Sequence, residues 1–195
     1  MRRFVGVRHL PTAWNDWGLL QGVRDVPIRL PTRMERRALR RLREQLDALT
    51  PFHGIHVSEL GRTAQTARLL GYPCEVLLRD PRLNELDFGP FEGRSKEDLL
   101  LATNGDWFRD PSDLVLGESL EAFSARIAGF VEALPANTTT LVVGHGAWLR
   151  AMKSLVETGD LRTMNKGQLG NGQAVVVLVA ENVTLATPRH ERAAS

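Results

Sequence analysis

Three short apolar runs constrain the fold of this chain more than any other feature of its sequence. They occupy Phe4–Val7, Thr140–Val143 and Ala174–Val179, are rich in valine and lack any alternation of polar and apolar residues. Such runs are typical of strands that are buried on both faces, as in a parallel sheet. Weaker strand patterns lie at Gly54–Val57 and Glu75–Leu78.

Helical patterns separate these runs. The clearest helix is predicted from Met34 to Leu49, where apolar residues recur on one face and Thr32 is placed to cap the first turn. A shorter helix is predicted over Ala64–Leu70, with Ser58 or Thr63 as its cap and Gly71 as its stop. The other predicted helices span Glu118–Leu134 and Trp148–Val156. Because strands and helices alternate, we expect an α/β fold, a three-layer α/β/α sandwich with a mostly parallel central sheet.

Composition excludes several classes of protein. The 195 residues suffice for one domain with a sizeable core, and 25 basic against 23 acidic residues give a net charge of only +2, too small an excess to indicate a nucleic-acid binder. The single cysteine, Cys74, forms no internal disulfide and fits a reducing compartment. No apolar run approaches the length of a membrane span, and the apolar stretch after Met1 is too short for a secretory signal. We therefore expect a cytoplasmic protein without nucleic-acid or membrane partners.

No repeat, low-complexity tract or long linker divides the chain. We expect a single domain over residues 1–188 and a flexible tail over 189–195. Residues 183–186 have the pattern of an edge strand that is open to pairing with a second copy, but the sequence leaves the oligomeric state open.

Basic residues follow the predicted strands. Arg8 and His9 come at the end of the first strand, and His145 comes at the end of the strand at 140–143. Arg62 lies at the start of a helix, where a cation is unfavourable unless an anion shares the site. Ligands of open α/β sheets bind beyond the carboxyl ends of the strands, so these groups are expected to converge. A phosphate suits such a cluster because arginine binds its oxygens bidentately.

A carboxylic acid beside this cluster would protonate a leaving alkoxide and then deprotonate water. The segment 83–93 offers Glu85, Asp87 and Glu92, and the residues alone leave open which of the three faces the site. Taken singly, each candidate residue more often has a structural role. The joint pattern is more specific, because the basic groups and the acid come from four separate segments that all suit one oxyanion.

Five segments, in the same order, resemble the motifs of the histidine phosphatase superfamily, also called the phosphoglycerate-mutase-like family. The resemblance covers nearly the whole chain. The segments are VRHLPTAWN, LQGVRDVPI, SELGRTAQTA, LNELDFGPFEG and VVGHGAWLRAM. A single Arg-His pair would be a weak signal, whereas five ordered segments are a strong one.

The resemblance implies a role for each matched residue. His9 is the expected nucleophile, Glu85 the expected proton donor, and Arg8, Arg62 and His145 the expected phosphate-binding groups. The substrate-binding positions that it implies are Thr12, Asn15, Gln21, Gly22 and Gly146. Neither a metal nor a cofactor is expected, because the cationic side chains meet the charge of the phosphate. The expected partner is a small phosphomonoester.

The chain departs from the family pattern at Leu10 and Pro11, at Leu19, and at Ala147, where mutases tend to have asparagine. These departures put the identity of the substrate in doubt, and they leave open phosphomonoesters of sugars, glycerate, nucleosides or cobalamin intermediates. The resemblance favours hydrolysis of a small phosphorylated metabolite through a phosphohistidine. Mutases of this type carry a longer insertion than the segment 94–135, so phosphoglycerate-mutase-type transfer is the first alternative. A non-catalytic phospho-ligand-binding domain is the second.

Overall fold

The strands of this protein form one sheet, in the order β3-β2-β4-β1-β5. The structure is a computed structural model, and it describes residues 1–180. The strands are β1 (Arg2–Arg8), β2 (Gly54–Val57), β3 (Leu77–Arg79), β4 (Thr139–Gly144) and β5 (Ala174–Val179). The helices are α1 (Ala13–Asp16), α2 (Arg33–Asp47), α3 (Gly61–Leu69), α4 (Lys96–Ala102), α5 (Asp106–Arg109), α6 (Leu120–Glu132) and α7 (Gly146–Thr158).

The pairing of the strands confirms the predicted mostly parallel sheet. β1 pairs with β4, β4 with β2 and β2 with β3, all in parallel. β5 alone among the described strands runs antiparallel, along the free side of β1. The carboxyl ends of the four parallel strands therefore meet at one edge of the sheet, and the amino end of β5 lies at the same edge.

Helices cover both faces of the sheet, as the three-layer prediction requires. Successive residues of β1 point to opposite sides, so Phe4 packs into the cluster formed with α6 and α7, whereas Val5 and Val7 pack into the cluster formed with α2 and α3. β4 divides in the same way between Val142 and Leu141. Both central strands are thus buried on both faces, which explains their continuous apolar runs.

The long helix after β1 begins as its sequence predicts. Thr32 Oγ1 accepts a hydrogen bond from the amide of Glu35 at 3.2 Å, and Glu35 Oε2 accepts one from the amide of Thr32 at 2.7 Å. This reciprocal pair is a capping box. α7 runs to Thr158, two residues beyond its predicted end, and Gly159 stops it with a left-handed φ of +79°.

Several boundary predictions were wrong. α3 begins at Gly61, and neither Ser58 nor Thr63 caps it, because Leu60 is its N-cap residue and makes no side-chain cap bond. β3 begins at Leu77 rather than Glu75, because the chain after Pro73 forms a turn of 3-10 helix over Cys74–Val76.

β5 was predicted to be buried on both faces, and it is an edge strand instead. Val176 and Leu178 are 50% and 54% exposed, whereas Val177 and Val179 pack into the core. An edge strand has a neighbour on one side only, so one of its faces is less well covered. The predicted edge pattern at 183–186 and the predicted tail at 189–195 lie outside the described residues.

No helix within residues 1–180 is both long enough and apolar enough to cross a membrane.

The packing of β1 against α7 requires a glycine at position 6. A Cβ atom there would lie 2.6 Å from Leu149 Cδ2, so we expect Gly6→Ala to lower the free energy of unfolding by about 1–3 kcal/mol through overpacking. Gly129→Ala in α6 is the matched control, because no atom lies within 4 Å of its added Cβ and alanine favours helix by about 0.5–1 kcal/mol. Urea unfolding of both variants tests this, and equal stability of the two would contradict the close contact.

Candidate active site

The predicted basic residues do meet at the carboxyl edge of the sheet. Arg8 is the last residue of β1 and His9 follows it, while His145 follows β4, the neighbouring strand. The rings of the two histidines have centroids 5.3 Å apart. Arg62 reaches the same point from the first turn of α3, where its Nε lies 3.2 Å from His145 Nδ1. The parallel register of β1 and β4 brings these groups together from three distant segments.

His9 is held as a neutral imidazole with one nitrogen free. It is 3% exposed, and its Nδ1 donates to the carbonyl oxygen of Leu10 at 2.7 Å. Burial lowers its pKa well below the usual value, and the positive charge of Arg62 lowers it further. With the proton on Nδ1, the Nε2 atom keeps its lone pair, which is the state that a nucleophilic imidazole requires.

His145 is also neutral, but its tautomer is the opposite one. Its Nδ1 accepts from Arg62 Nε, so the proton resides on Nε2, which donates to Ser58 Oγ at 2.8 Å. The residue is fully buried, and burial followed by the charge of Arg62 lowers its pKa well below the usual value. The two histidines therefore differ in which ring nitrogen carries the proton.

Arg62 is a fully buried cation, and two loop carbonyl groups fix the orientation of its guanidinium group. Its Nη1 donates to the carbonyl oxygen of Arg24 and its Nη2 to that of Gly22, both at 2.7 Å. Burial lowers its pKa to about 10, so the guanidinium remains charged at neutral pH. Each terminal nitrogen carries two hydrogens and one of these bonds, so each has a second N–H for an anion. The group is oriented before any ligand arrives.

Arg8 has a donor that suits an anion. Its Nη1 donates to the carbonyl oxygen of Leu169 at 2.7 Å, but its buried Nε has no partner among residues 1–180. Gly146 allows this arrangement, because a Cβ atom there would lie 3.1 Å from both Nε and Cζ of Arg8. Gly146 therefore gives room to the guanidinium, and nothing in its surroundings requires that it touch a substrate.

Glu85 is the acid that contacts the site. Its Oε2 accepts from the amide of Ala147 at 3.0 Å, and its Oε1 accepts from the amides of Trp148 and Leu86 at 2.9 and 3.1 Å. Ala147 and Trp148 belong to the first turn of α7, directly after His145. Oε2 accepts a single bond and so retains a lone pair on which a proton can be carried. Glu85 as a whole is 8% exposed.

The other two acids of the same segment have structural contacts. Asp87 Oδ1 accepts from the amide of Gly89 at 2.8 Å, within its own turn. Glu92 Oε1 accepts from the amide of Val23 at 2.8 Å. Neither acid accepts a hydrogen bond from α7, so Glu85 is the one of the three that lies against the helix that follows His145.

Thr12 and Asn15 hydrogen-bond to each other. Thr12 is fully buried, and its Oγ1 accepts from the backbone amide of Asn15 at 3.3 Å while the amide of Thr12 donates to Asn15 Oδ1 at 3.1 Å. This capping box starts α1. Thr12 thus shapes the loop after His9, and the side-chain nitrogen Nδ2 of Asn15 has no partner within residues 1–180.

Gly22 and Gln21 lie in the loop that orients Arg62. Gly22 has a φ of +54°, and a Cβ atom there would lie 1.9 Å from Glu92 Oε1, so another residue would strain the backbone and displace the Glu92 carboxylate. Its carbonyl oxygen is an acceptor for Arg62. Gln21 Oε1 is buried and has no partner among the described residues. Among the substrate-binding candidates, Gln21 and Asn15 are therefore the ones with polar atoms to spare.

Sequence reasoning missed two residues of the site, Ser58 and Asn171. Ser58 directly follows β2 and so lies at the same edge as His9 and His145. The rule that ligands bind beyond the carboxyl ends of the strands would have made it a candidate. Asn171 donates from Nδ2 to the carbonyl oxygen of His9 at 2.9 Å and to Asn15 Oδ1 at 3.3 Å. It precedes β5, and it reaches this edge because β5 is antiparallel, which the sequence pattern did not reveal.

Within residues 1–180, no group of three or more histidine, cysteine, aspartate or glutamate side chains is arranged to hold a metal ion.

The chain belongs to the histidine phosphatase superfamily. The sequence profile of its branch 1 matches residues 4–186. A probable phosphoglycerate mutase, GpmB, of Cronobacter sakazakii is 36% identical to this chain over 161 residues, which is 77% of this chain and 72% of that protein. The prediction of the family from five ordered motifs is confirmed.

Solved structures share the fold over most of their length. The structure of TTHB049 from Thermus thermophilus is 31% identical, with a TM-score of 0.70 over 90% of this chain and 92% of that one. A putative alpha-ribazole-5'-P phosphatase from Escherichia coli is 25% identical, with a TM-score of 0.72 over 90% and 89% of the two chains. These two relatives are thus named for different activities, one as a probable mutase and the other as a putative phosphatase.

Two buried neutral histidines make stability depend on pH. Burial lowers the pKa of both His9 and His145, so these groups bind protons in the unfolded state only, and stability falls as the pH drops below about 6.5. Each such group contributes a slope of about 1.4 kcal/mol per pH unit in this range. We expect His145→Asn to remove about that much of the slope, measured by urea unfolding at pH 7.5, 6.5 and 5.5.

Ala151→Gly is the control for this experiment, because it destabilises the buried face of α7 without removing a titratable group. Its slope should equal that of the wild type. An unchanged slope in His145→Asn would show that His145 binds protons equally well in the folded and unfolded chain.

Proposed function

We propose that this protein is a phosphomonoesterase that hydrolyses a small phosphorylated metabolite through a covalent phosphohistidine on His9. The observation that carries the proposal is the buried, neutral His9 with its free Nε2, flanked by Arg8, Arg62 and His145. We further propose that residues 1–188 form one catalytic domain. A cytoplasmic location accords with the single, exposed and free Cys74.

In the first step, the lone pair of His9 Nε2 attacks phosphorus, in line with the ester oxygen. A nitrogen–phosphorus bond forms while the phosphorus–oxygen bond of the ester breaks. The leaving alkoxide takes a proton from the carboxyl group of Glu85 and departs as an alcohol. The bond from Nδ1 to the carbonyl oxygen of Leu10 keeps the ring in the reactive tautomer throughout.

In the second step, water attacks the phosphorus of the phosphohistidine. Glu85, now a carboxylate, accepts a proton from that water, and the nitrogen–phosphorus bond breaks. Inorganic phosphate leaves, and both His9 and Glu85 return to their starting states. Oε2 is the Glu85 oxygen suited to both transfers, since Oε1 already accepts two amide bonds.

Charge on the transferring phosphoryl group is met by donors that are already in place. Arg62 is fixed by two loop carbonyls, and Arg8 presents an unpartnered Nε. Stabilisation by pre-oriented donors is the main contribution to phosphoryl transfer. We propose that these side chains do the work that a metal ion does in other phosphatases, so the reaction is independent of metal.

A mutase is the second candidate, because the curated relative described above is named a probable phosphoglycerate mutase. A mutase returns the phosphoryl group to a hydroxyl instead of to water, so it must hold a charged glycerate beside the histidine. Here Leu10 is packed into the core and Ala147, at the start of α7, has no polar side chain, so neither position offers a donor for the glycerate carboxylate. These residues favour hydrolysis, and the phosphatase relative makes alpha-ribazole phosphate a first substrate to assay.

Wild-type protein should release phosphate from p-nitrophenyl phosphate and from a panel of small phosphomonoesters, and EDTA should leave the rate unchanged. His9→Ala should lose at least about 1,000-fold in kcat/KM, because covalent catalysis has no other nucleophile here. Circular dichroism and thermal unfolding check that the variant is folded. Rapid quenching at high pH should trap a base-stable, acid-labile phosphoryl group on wild-type His9, whereas near-normal turnover by His9→Ala would contradict the mechanism.

The same preparation separates hydrolase from mutase. With 3-phosphoglycerate and a bisphosphate primer, a mutase yields 2-phosphoglycerate, whereas a phosphatase yields glycerate and inorganic phosphate. Binding of phosphate by folded wild-type protein without release or transfer from any compound would instead indicate a non-catalytic phospho-ligand-binding domain.

A further inference from the structure

The guanidinium of Arg126, in the middle of α6, uses all of its N–H donors. Nε donates to Glu118 Oε2 at 3.1 Å. Nη1 donates to the carbonyl oxygens of Arg82 and Asn84 at 2.8 and 2.6 Å. Nη2 donates to the carbonyl oxygen of Glu85 at 3.0 Å and to Glu118 Oε1 at 2.7 Å. An arginine carries five such donors, so none is left over for a ligand.

The three carbonyl acceptors belong to one short stretch of backbone, the stretch that carries Glu85. Arg126 binds the carbonyls of three residues between 82 and 85, up to and including Glu85 itself. Glu118 Oε1 also accepts from the amide of Asp87 at 3.0 Å. The Arg126–Glu118 ion pair therefore fixes the backbone on both sides of Glu85 through hydrogen bonds.

Neighbouring aromatic side chains and partial burial help to fix the Arg126–Glu118 ion pair and the backbone that it binds. The guanidinium carbon of Arg126 lies 4.6 Å from the ring centroid of Phe123, a fully buried residue of the same helix. The side chains of Arg126 and Glu118 are only 20% and 21% exposed, so water screens their attraction less than at an open surface. Trp148 Nε1 donates to the carbonyl oxygen of Arg82 at 2.8 Å, which ties the same stretch to α7.

We propose that Arg126, paired with Glu118, is a positioning residue that sets the Glu85 carboxyl group at the distance needed for proton transfer to the leaving oxygen. This inference rests on the proposed phosphatase function. Arg126 touches neither the substrate nor His9 in this scheme and acts through Glu85 alone. A general acid works only within about 2.6–3.2 Å of the atom that it protonates, so a small shift of the backbone at Glu85 reduces its contribution.

Lysine cannot replace arginine in this role. Its ammonium group has one nitrogen with three donors, whereas the acceptors around Arg126 are spread over the planar fork of a guanidinium. Arg126→Lys therefore retains the charge but releases part of the backbone from 82 to 85. The substitution separates the positioning role from the general electrostatics of the site.

The test compares two substrates that differ in how much they need an acid. p-Nitrophenolate leaves without protonation, whereas the alkoxide of an alkyl phosphate such as glycerol phosphate does not. We expect Arg126→Lys to lower kcat/KM for the alkyl phosphate by about 100-fold, the usual size of a general-acid contribution, and for p-nitrophenyl phosphate by less than about threefold. The inhibition constant of inorganic phosphate should stay unchanged, because Arg8 and Arg62 are untouched.

Two further variants make the result specific. Arg41→Lys, at an exposed position of α2, is the matched control and should behave as wild type on both substrates. In a Glu85→Gln background the acid is absent, so adding Arg126→Lys should cause no further loss on the alkyl phosphate. Additive losses in that double variant would overturn the proposal, because they would mean that Arg126 acts by another route.

An equal loss on both substrates would also overturn it, since a general structural defect does not distinguish leaving groups. If Arg126→Lys does not fold, Glu118→Gln takes its place: it removes the ion pair, keeps the three carbonyl bonds and should show the same substrate difference at smaller size. Wild-type protein that releases phosphate from neither substrate would reject the proposed function, and the inference with it, before any variant is compared.

Discussion

The hydrogen bond from Arg62 Nε to His145 Nδ1 is the contact on which the site depends. It places a fully buried cation against a histidine that must then stay neutral, and it forces the proton of that ring onto Nε2, towards Ser58. The charge of this cation, together with burial, lowers the pKa of His9, so that its Nε2 keeps the lone pair that the proposed mechanism uses. Keeping both buried histidines neutral lowers the stability of the folded chain in acid. The core clusters on the two faces of the sheet supply the rigidity that keeps these groups close.

The strand ends were predictable from the sequence because two physical rules coincide there. Buried parallel strands have continuous apolar runs, and ligands bind at their carboxyl ends, so the sequence alone places Arg8, His9 and His145 together. The resemblance of five ordered motifs added Glu85, which the residues alone did not distinguish from Asp87 or Glu92. The family and the α/β/α architecture were both confirmed.

The features that the sequence did not show depend on the direction of a strand and on hydrogen bonds to backbone carbonyl groups. β5 has the same valine-rich pattern as a parallel strand, so the pattern gave no sign that Asn171 would arrive beside His9. Ser58 looked like a helix cap, but α3 begins too late for that, and its hydroxyl bonds His145 instead. The carbonyls that fix Arg62 and Arg126 belong to loops, where any residue offers the same acceptor, and such contacts leave no trace in a residue pattern.

Glu85 also serves as the cap of α7, from a segment more than sixty residues earlier in the chain. His145, the N-cap residue, makes no side-chain cap bond of its own, so the first amides of that helix depend on this carboxylate. A helix cap contributes about 0.5–2 kcal/mol to stability. In the proposed mechanism the same side chain therefore has two roles, one in chemistry and one in folding. Because the capping role needs no substrate, the presence of this glutamate in a related chain does not by itself show that the chain is an enzyme.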